Sequence, residues 1–170
     1  WTGIRIPEEY GGLGLGHLEL CVIAEELGRF LAPVPYSSSV YLFTEAIINY
    51  GTEEIKKDIL PKLVSGEIVG TLGVTEDLHA PTKENINLNY VDGKITGKKI
   101  AVPDAGVATH AVIVAKSDKG ISLQLVDLSS SGVAIEHQEN IDESRGHFSI
   151  SFENVQTKML GDEFSGWELY

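Results

Sequence analysis

GTEEIKKDILPKLVSGEIVGTLGVTE, residues 51–76, changes its hydrophobic period part-way along. In its first half Ile55, Ile59, Leu60 and Leu63 recur every three or four positions, the spacing that aligns one face of an α-helix. Thr52 is a good N-cap, Glu53 and Glu54 sit where the helix dipole favours negative charge, and Ser65-Gly66 ends the run. Pro61 lies inside the pattern, and its missing N–H predicts a bend or local break. Past Gly66 the apolar residues alternate or come in short blocks between turn residues, so 68–74 reads as a strand. The boundary between a helical part and a β part falls within this stretch.

Upstream, Leu20, Ile23, Ala24, Leu27 and Leu31 share a helical face within residues 17–31. Gly28 reads there as a point of close approach for a neighbour, and Pro33 and Pro35 stop the helix. Ser37, Ser38 and Ser39 offer caps for a second helix, whose stripe of Leu42, Phe43, Ala46 and Ile47 runs to Gly51 as the expected C-terminal cap. Downstream, strands are predicted at 86–91, 94–102, 110–115, 121–127, 132–137 and 148–152. Asp92-Gly93 between two of them is a strong hairpin signal, because both central residues of a type I′ turn need positive φ. Asp118, Lys119 and Gly120 form the next expected tight turn. Short strands so spaced predict a closed or sandwiched antiparallel β domain of about 85 residues. The expected class is α+β: a partial helical N-terminal domain over 1–66, an antiparallel β-barrel or sandwich over 67–155, and a linker over 156–170.

The 170 residues are 42% hydrophobic and 22% charged, a composition that builds one good core or two small ones and argues against disorder. Thirteen Lys and Arg face 25 Asp and Glu, a formal charge of -12 that repels phosphate backbones and argues against nucleic acid as a partner. No apolar run approaches the roughly 20 residues of a membrane span. The single cysteine, Cys21, lies in an apolar helical pattern, reads as a buried inert thiol, cannot form an internal disulfide and suits the cytoplasm. The chain opens on Trp1 and closes on an amphipathic run, 167–170, which reads as a fragment of a longer protein.

Single motifs identify no catalytic centre. The glycine-rich stretch 7–16 lacks both the βαβ setting and the lysine of a phosphate loop, and reads as a turn-rich entry to the first helix. His17, His79, His110, His137 and His147 have no zinc-site spacing. Ser144, His147 and Asp142 contain the residue types of a hydrolase triad without a nucleophile elbow. Glu25-Glu26 and Asp142-Glu143 read as solvated surface pairs.

Taken in order, however, IPEEYGGLGLG at 6–16, AEELGR at 24–29, the 51–76 block, GKKIAVPDA at 97–105, GISLQLVDL at 120–128, ISFENV at 150–155 and LGDEFSGW at 160–167 closely resemble the acyl-CoA dehydrogenase family of flavoproteins. The resemblance covers nearly the whole chain, over that family's N-terminal helical and middle β portions. It implies an oxidoreductase that binds FAD, removes a proton α to an acyl thioester carbonyl and passes the β hydrogen as hydride to the flavin. It further implies an acyl-CoA substrate drawn from fatty acid or steroid degradation, an electron-transfer flavoprotein as acceptor, and a homo- or hetero-oligomer. By alignment, Leu72, Val74 and Thr75 fall where backbone groups and a hydroxyl meet the flavin, and Ala101, Val102 and Pro103 fall on its second contacting strand.

Two departures from the family pattern bear on function. After Glu76 the usual Pro-Gly-Ala-Gly-Ser-Asp loop is replaced by DLHAPTKEN, and Pro103 stands where many members place a threonine whose hydroxyl meets the flavin. Proline supplies neither a hydroxyl nor an N–H, so that donor must come from elsewhere. The family's catalytic glutamate belongs to a C-terminal helical domain, which implies no catalytic residue within 1–170 and a chain inactive alone. Two alternatives stay open: a non-catalytic partner subunit of such a complex, and a flavin oxidase or monooxygenase on the same fold.

Overall fold

The computed structural model describes residues 1–142 and 144–170; Glu143, and with it one half of the Asp142-Glu143 pair, lies outside the described residues. A short 3₁₀ turn, Glu8–Tyr10, leads into α1, His17–Arg29. A π-helical stretch, Ser37–Thr44, runs directly into α2, Glu45–Tyr50, and α3 follows as Glu53–Ser65. Thr52 caps α3 through its side chain as its sequence position predicts, accepting from the Ile55 N–H at 3.3 Å. Pro61 neither breaks nor ends α3, which continues to Ser65. The proline is solvent-exposed while Ile59, Leu60 and Leu63 around it are buried, so packing holds both halves of the helix together across the missing N–H.

Several local expectations about the helices are corrected. Gly51 is extended, with φ -67° and ψ 141°, and so is not a left-handed cap. Gly28 has open space about it, and Leu31 lies past the end of α1 in a left-handed conformation, 79% exposed. Leu20 is buried in the same stripe, whereas Cys21, about 100° further round the helix, is exposed instead of buried. Ser37, Ser38 and Ser39 cap nothing and lie inside the π-helical stretch. Their hydroxyls reach the β part: Ser37 to Arg145, Ser38 to Asp104 at 2.5 Å, and Ser39 accepting from the Gly70 N–H at 3.1 Å. Three serines thereby stitch the helical part to the sheet.

The β part contains β1 Gly70–Gly73, β2 Asn89–Val91, β3 Lys94–Pro103, β4 His110–Lys116, β5 Ile121–Asp127, β6 Val133–Gln138, β7 His147–Gln156 and β8 Lys158–Leu160. All seven predicted strands are present, β5 at the expected bounds and six with shifted ends, and β8, with the terminal turn α4 at Gly166–Leu169, forms in the stretch read as linker. The order is β6-β7-β3-β2-β4-β5-β8, with β1 paired to β4. The sheet is mostly antiparallel but mixed, because β1 and the end of β2 both run parallel to β4. Asp92 and Gly93 take φ of 49° and 78° in the β2–β3 hairpin, the left-handed pair a type I′ turn requires.

β4 explains why the core divides in two. Residues 111–115 are buried throughout, so the strand reads as a continuous apolar block. Val112 and Val114 face Phe43, Ile47, Ile59, Leu60 and Leu63 from the helices, while Ala111, Ile113 and Ala115 face Ile95, Val102, Ile150 and Phe152 within the β part. The helices therefore cover one face of the strands whose ends carry the residues of interest.

Candidate functional site

β1 is the hinge of the site, since the chain leaving it passes directly against β3. The Ile100 N–H donates to Thr75 O at 2.8 Å, and the Thr71 hydroxyl donates to Pro103 O at 2.6 Å. The two segments expected to meet a cofactor are therefore neighbours. Their side chains do not share one space. Leu72 and Val74 pack toward the helical core, and Val102 is buried inside the β part among residues such as Ile113 and Ile150. Ala101 is exposed, and Thr75 and Pro103 are half-buried.

The exposure of Ala101 follows from a β-bulge. Lys99 pairs with Ile150 and Val102 with Phe148, so three steps along β3 match two along β7. Ala101 takes φ 51° at that irregularity, and its N–H donates to Gln138 Oε1 at 2.7 Å.

Beneath the same edge lies a charged group that motif reading missed. Lys99 is fully buried, and its ammonium donates to Val74 O at 2.9 Å and to Glu76 Oε1 at 2.6 Å. Glu76 also accepts from the N–H groups of Leu88 (2.9 Å) and Asn87 (2.8 Å). Burial pushes the Lys99 ammonium down to about 8, against the opposing pull of Glu76. Gly73 makes room for the lysine stem: a methyl there would come within 2.8 Å of Ile113 Cδ1 and 3.4 Å of Lys99 Cγ. The signal in the sequence was the alternation of β3, which puts Lys99 on the same face as the buried Ile95.

A second polar cluster clamps the helices to the β part. Asp104, at φ 55°, pairs with Arg145 and accepts from Ser38, and Arg145 also reaches Ser37. Arg145 borders a cleft of about 260 Å³ with Leu27, Leu31, Val34 and Tyr41.

The remaining candidates do not converge on chemistry. The Ser144 hydroxyl donates to Asp142 Oδ1 at 2.6 Å, while His147 Nδ1 contacts Asn140 at 3.0 Å, so no Ser-His-Asp relay forms. Glu25 and Glu26 are exposed and each lies 3.3 Å from Arg29. Among the described residues no group of His, Cys, Asp and Glu could hold a metal ion, and no helix is long and apolar enough to cross a membrane.

A flavin ring asks for hydrogen-bond partners along its polar edge and apolar surface against its face. The Thr75 N–H makes no backbone hydrogen bond among the described residues, while the Val74 and Thr75 carbonyls beside it are already engaged. Across from it, Ala101 and Pro103 offer apolar surface with no free donor, since Gln138 holds the Ala101 N–H and proline has none. The Thr75 N–H just past β1 and the apolar surface of Ala101 and Pro103 on β3 thus fit the polar edge and the apolar face that such a ring presents.

Comparison with known proteins identifies relatives of the chain. A family described as acyl-CoA dehydrogenase, N-terminal domain, matches residues 1–67. The mitochondrial isovaleryl-CoA dehydrogenase of Solanum tuberosum is 34% identical over 141 residues, covering 76% of this chain and 34% of that protein. The mitochondrial 2-methylacyl-CoA dehydrogenase of the same plant is 30% identical over 180 residues, covering 96% and 44%. The structure of butyryl-CoA dehydrogenase from Megasphaera elsdenii matches with a TM-score of 0.88 at 25% identity, over 99% of this chain and 49% of that one. The chain thus spans between a third and a half of the length of these relatives.

Proposed function

The chain belongs to the acyl-CoA dehydrogenase family, and from that premise we propose that it forms the N-terminal and middle-domain wall of a flavin-dependent acyl-CoA dehydrogenase. Bound at this wall, FAD would take the β hydrogen of an acyl thioester as hydride while a base removes the α proton. The carrying observation is the juxtaposition of the Thr75 edge with the exposed bulge at Ala101.

Within this reading the N–H and hydroxyl of Thr75 would hold the polar edge of the ring. Backbone groups at Leu72, Val74 and Val102 shape the strands behind that edge, and Ala101 and Pro103 would supply apolar surface for the ring. The base comes from outside residues 1–170. The carboxylates beside the edge are committed elsewhere, Glu76 to Lys99 and two backbone N–H groups and Asp104 to Arg145 and Ser38. A general base must stand within hydrogen-bond reach of the proton it takes, and both carboxylates are held in place by these partners instead. An electron-transfer flavoprotein is the proposed acceptor, an oligomer the proposed assembly, and the cytoplasm, which suits a lone exposed cysteine, the proposed compartment.

The test is anaerobic titration of the FAD-loaded full-length protein with straight-chain, branched and steroid side-chain acyl-CoA esters. Bleaching of the oxidised flavin band by one of them is the expected result, and no bleaching with any class would count against the proposal. The lack of donors at Ala101 and Pro103 favours one second reading, a partner subunit that keeps the fold and leaves FAD to a paired chain. Full-length protein that purifies without flavin, yet joins a flavin-loaded paralogue, would select it.

A further inference from the structure

We propose that Lys99 is a positioning residue for the cofactor edge, acting through Thr75; this rests on the flavin reading above. Thr75 is held by its neighbours on both sides. Lys99 fixes the carbonyl before it, at Val74, and the carboxylate after it, on Glu76. The Thr75 carbonyl itself is tied to the Ile100 N–H, one residue along β3 from Lys99. The Val74 carbonyl and the Thr75 N–H share one planar peptide unit, so the bond from Lys99 also fixes the direction of that N–H, which makes no backbone hydrogen bond among the described residues. A single ammonium thereby decides where the donor points, and the path for its stem exists because residue 73 is glycine.

A lysine buried only to support the fold would not need to grip both flanks of one residue. The cost of burying the charge is large, and a hydrophobic side chain of similar length would fill the same space without it. What the ammonium adds is a fixed geometry at the strand end, which a ligand with rigid hydrogen-bonding atoms can exploit.

The experiment uses the full-length protein with FAD as the probe, and reads its dissociation constant by flavin fluorescence in four forms: wild type, Thr75→Val, Lys99→Met and the double variant. Thr75→Val removes one hydroxyl partner and is expected to weaken FAD by about three- to tenfold, the worth of one hydrogen bond. Lys99→Met is expected to weaken it at least as much, and the double variant little more than Lys99→Met alone. Lys99→Arg, which keeps a charged donor, should recover part of the loss. Should Lys99→Met not fold, Glu76→Gln takes its place, since it weakens the ammonium's anchor while keeping an acceptor. The proposal is overturned if the losses from Thr75→Val and Lys99→Met multiply independently, or if Lys99→Met lowers the urea midpoint and leaves the FAD constant unchanged. Wild-type protein that binds no FAD overturns the functional reading itself, a different result from wild-type binding that ignores Lys99.

Discussion

The seat of the helices on β1 can be tested by a cycle of two substitutions. Gly70 lies against Phe43, which is fully buried, and a methyl group at residue 70 would overlap the Phe43 ring. The overlap extends to the Phe43 Cβ, 2.5 Å away, so rotating the ring cannot relieve it. Gly70→Ala is therefore expected to destabilise the chain by about 1–3 kcal/mol through overpacking. That loss would outweigh the roughly 0.4–1 kcal/mol that glycine-to-alanine changes yield by restricting the unfolded chain. Phe43→Ala opens a cavity between the helical core and the sheet and should cost about 3–5 kcal/mol. In the double variant the two ring overlaps are gone and only the retained Cβ of residue 43 still meets the new methyl, so the two costs should fall short of their sum by about 0.5–3 kcal/mol. Urea denaturation of the four proteins, with equal slopes, measures each corner of the cycle. A neutral or stabilising Gly70→Ala, or additivity within about 0.5 kcal/mol, would refute the packing described for β1.

Two further predictions concern pH. Lys99 titrates at about 8 in the fold against 10.5 when unfolded, so between these values the unfolded chain holds more protons and stability rises with pH. Compared with Lys99→Met, the wild type should gain up to about 1.4 kcal/mol per pH unit above pH 8, and parallel stability curves would show that the ammonium is not buried as described. His110 is lowered from 6.5 chiefly by burial, with Asp127 pulling the other way. Its neutral form therefore supports the fold above 6.5, and that support disappears as pH falls through the lower folded value. His110→Gln should flatten this acid limb of the stability curve in thermal melts, and an unchanged limb would remove His110 as its cause.

The change of period near Gly66 and the Asp92-Gly93 turn were legible because both are local: one is a spacing, the other a pair of residues suited to positive φ. Direction within the sheet was not. β1 runs parallel to β4, and nothing in residues 70–73 encodes a partner that lies beyond an intervening hairpin. The serines show the same limit. Ser37, Ser38 and Ser39 look like caps to any local rule, yet their partners lie 108, 66 and 31 residues away. Cys21 and Leu31 were assigned from a stripe whose width and end only packing can set. Of the site, alignment supplied two segments and the structure set them side by side. Lys99 was visible only as a charge on an apolar face, a signal that gains meaning once Gly73 is seen to open the way for it.

The two halves of the edge differ in a way that bears on how a ring would be held. Just past β1, at Val74 and Thr75, carbonyls are engaged and an N–H is left over; on β3, the exposed surface is apolar and the Ala101 N–H is held by Gln138. A ring held from one side only, by donors whose place is fixed, depends on the rigidity of that side far more than a ring gripped from both. On the proposed flavin reading, proline at residue 103, which has no donor, would shift the demand for geometry onto Thr75, and through it onto the lysine and carboxylate that hold its flanks. The missing donor on β3 and the charge buried beside the end of β1 would then be two aspects of one arrangement.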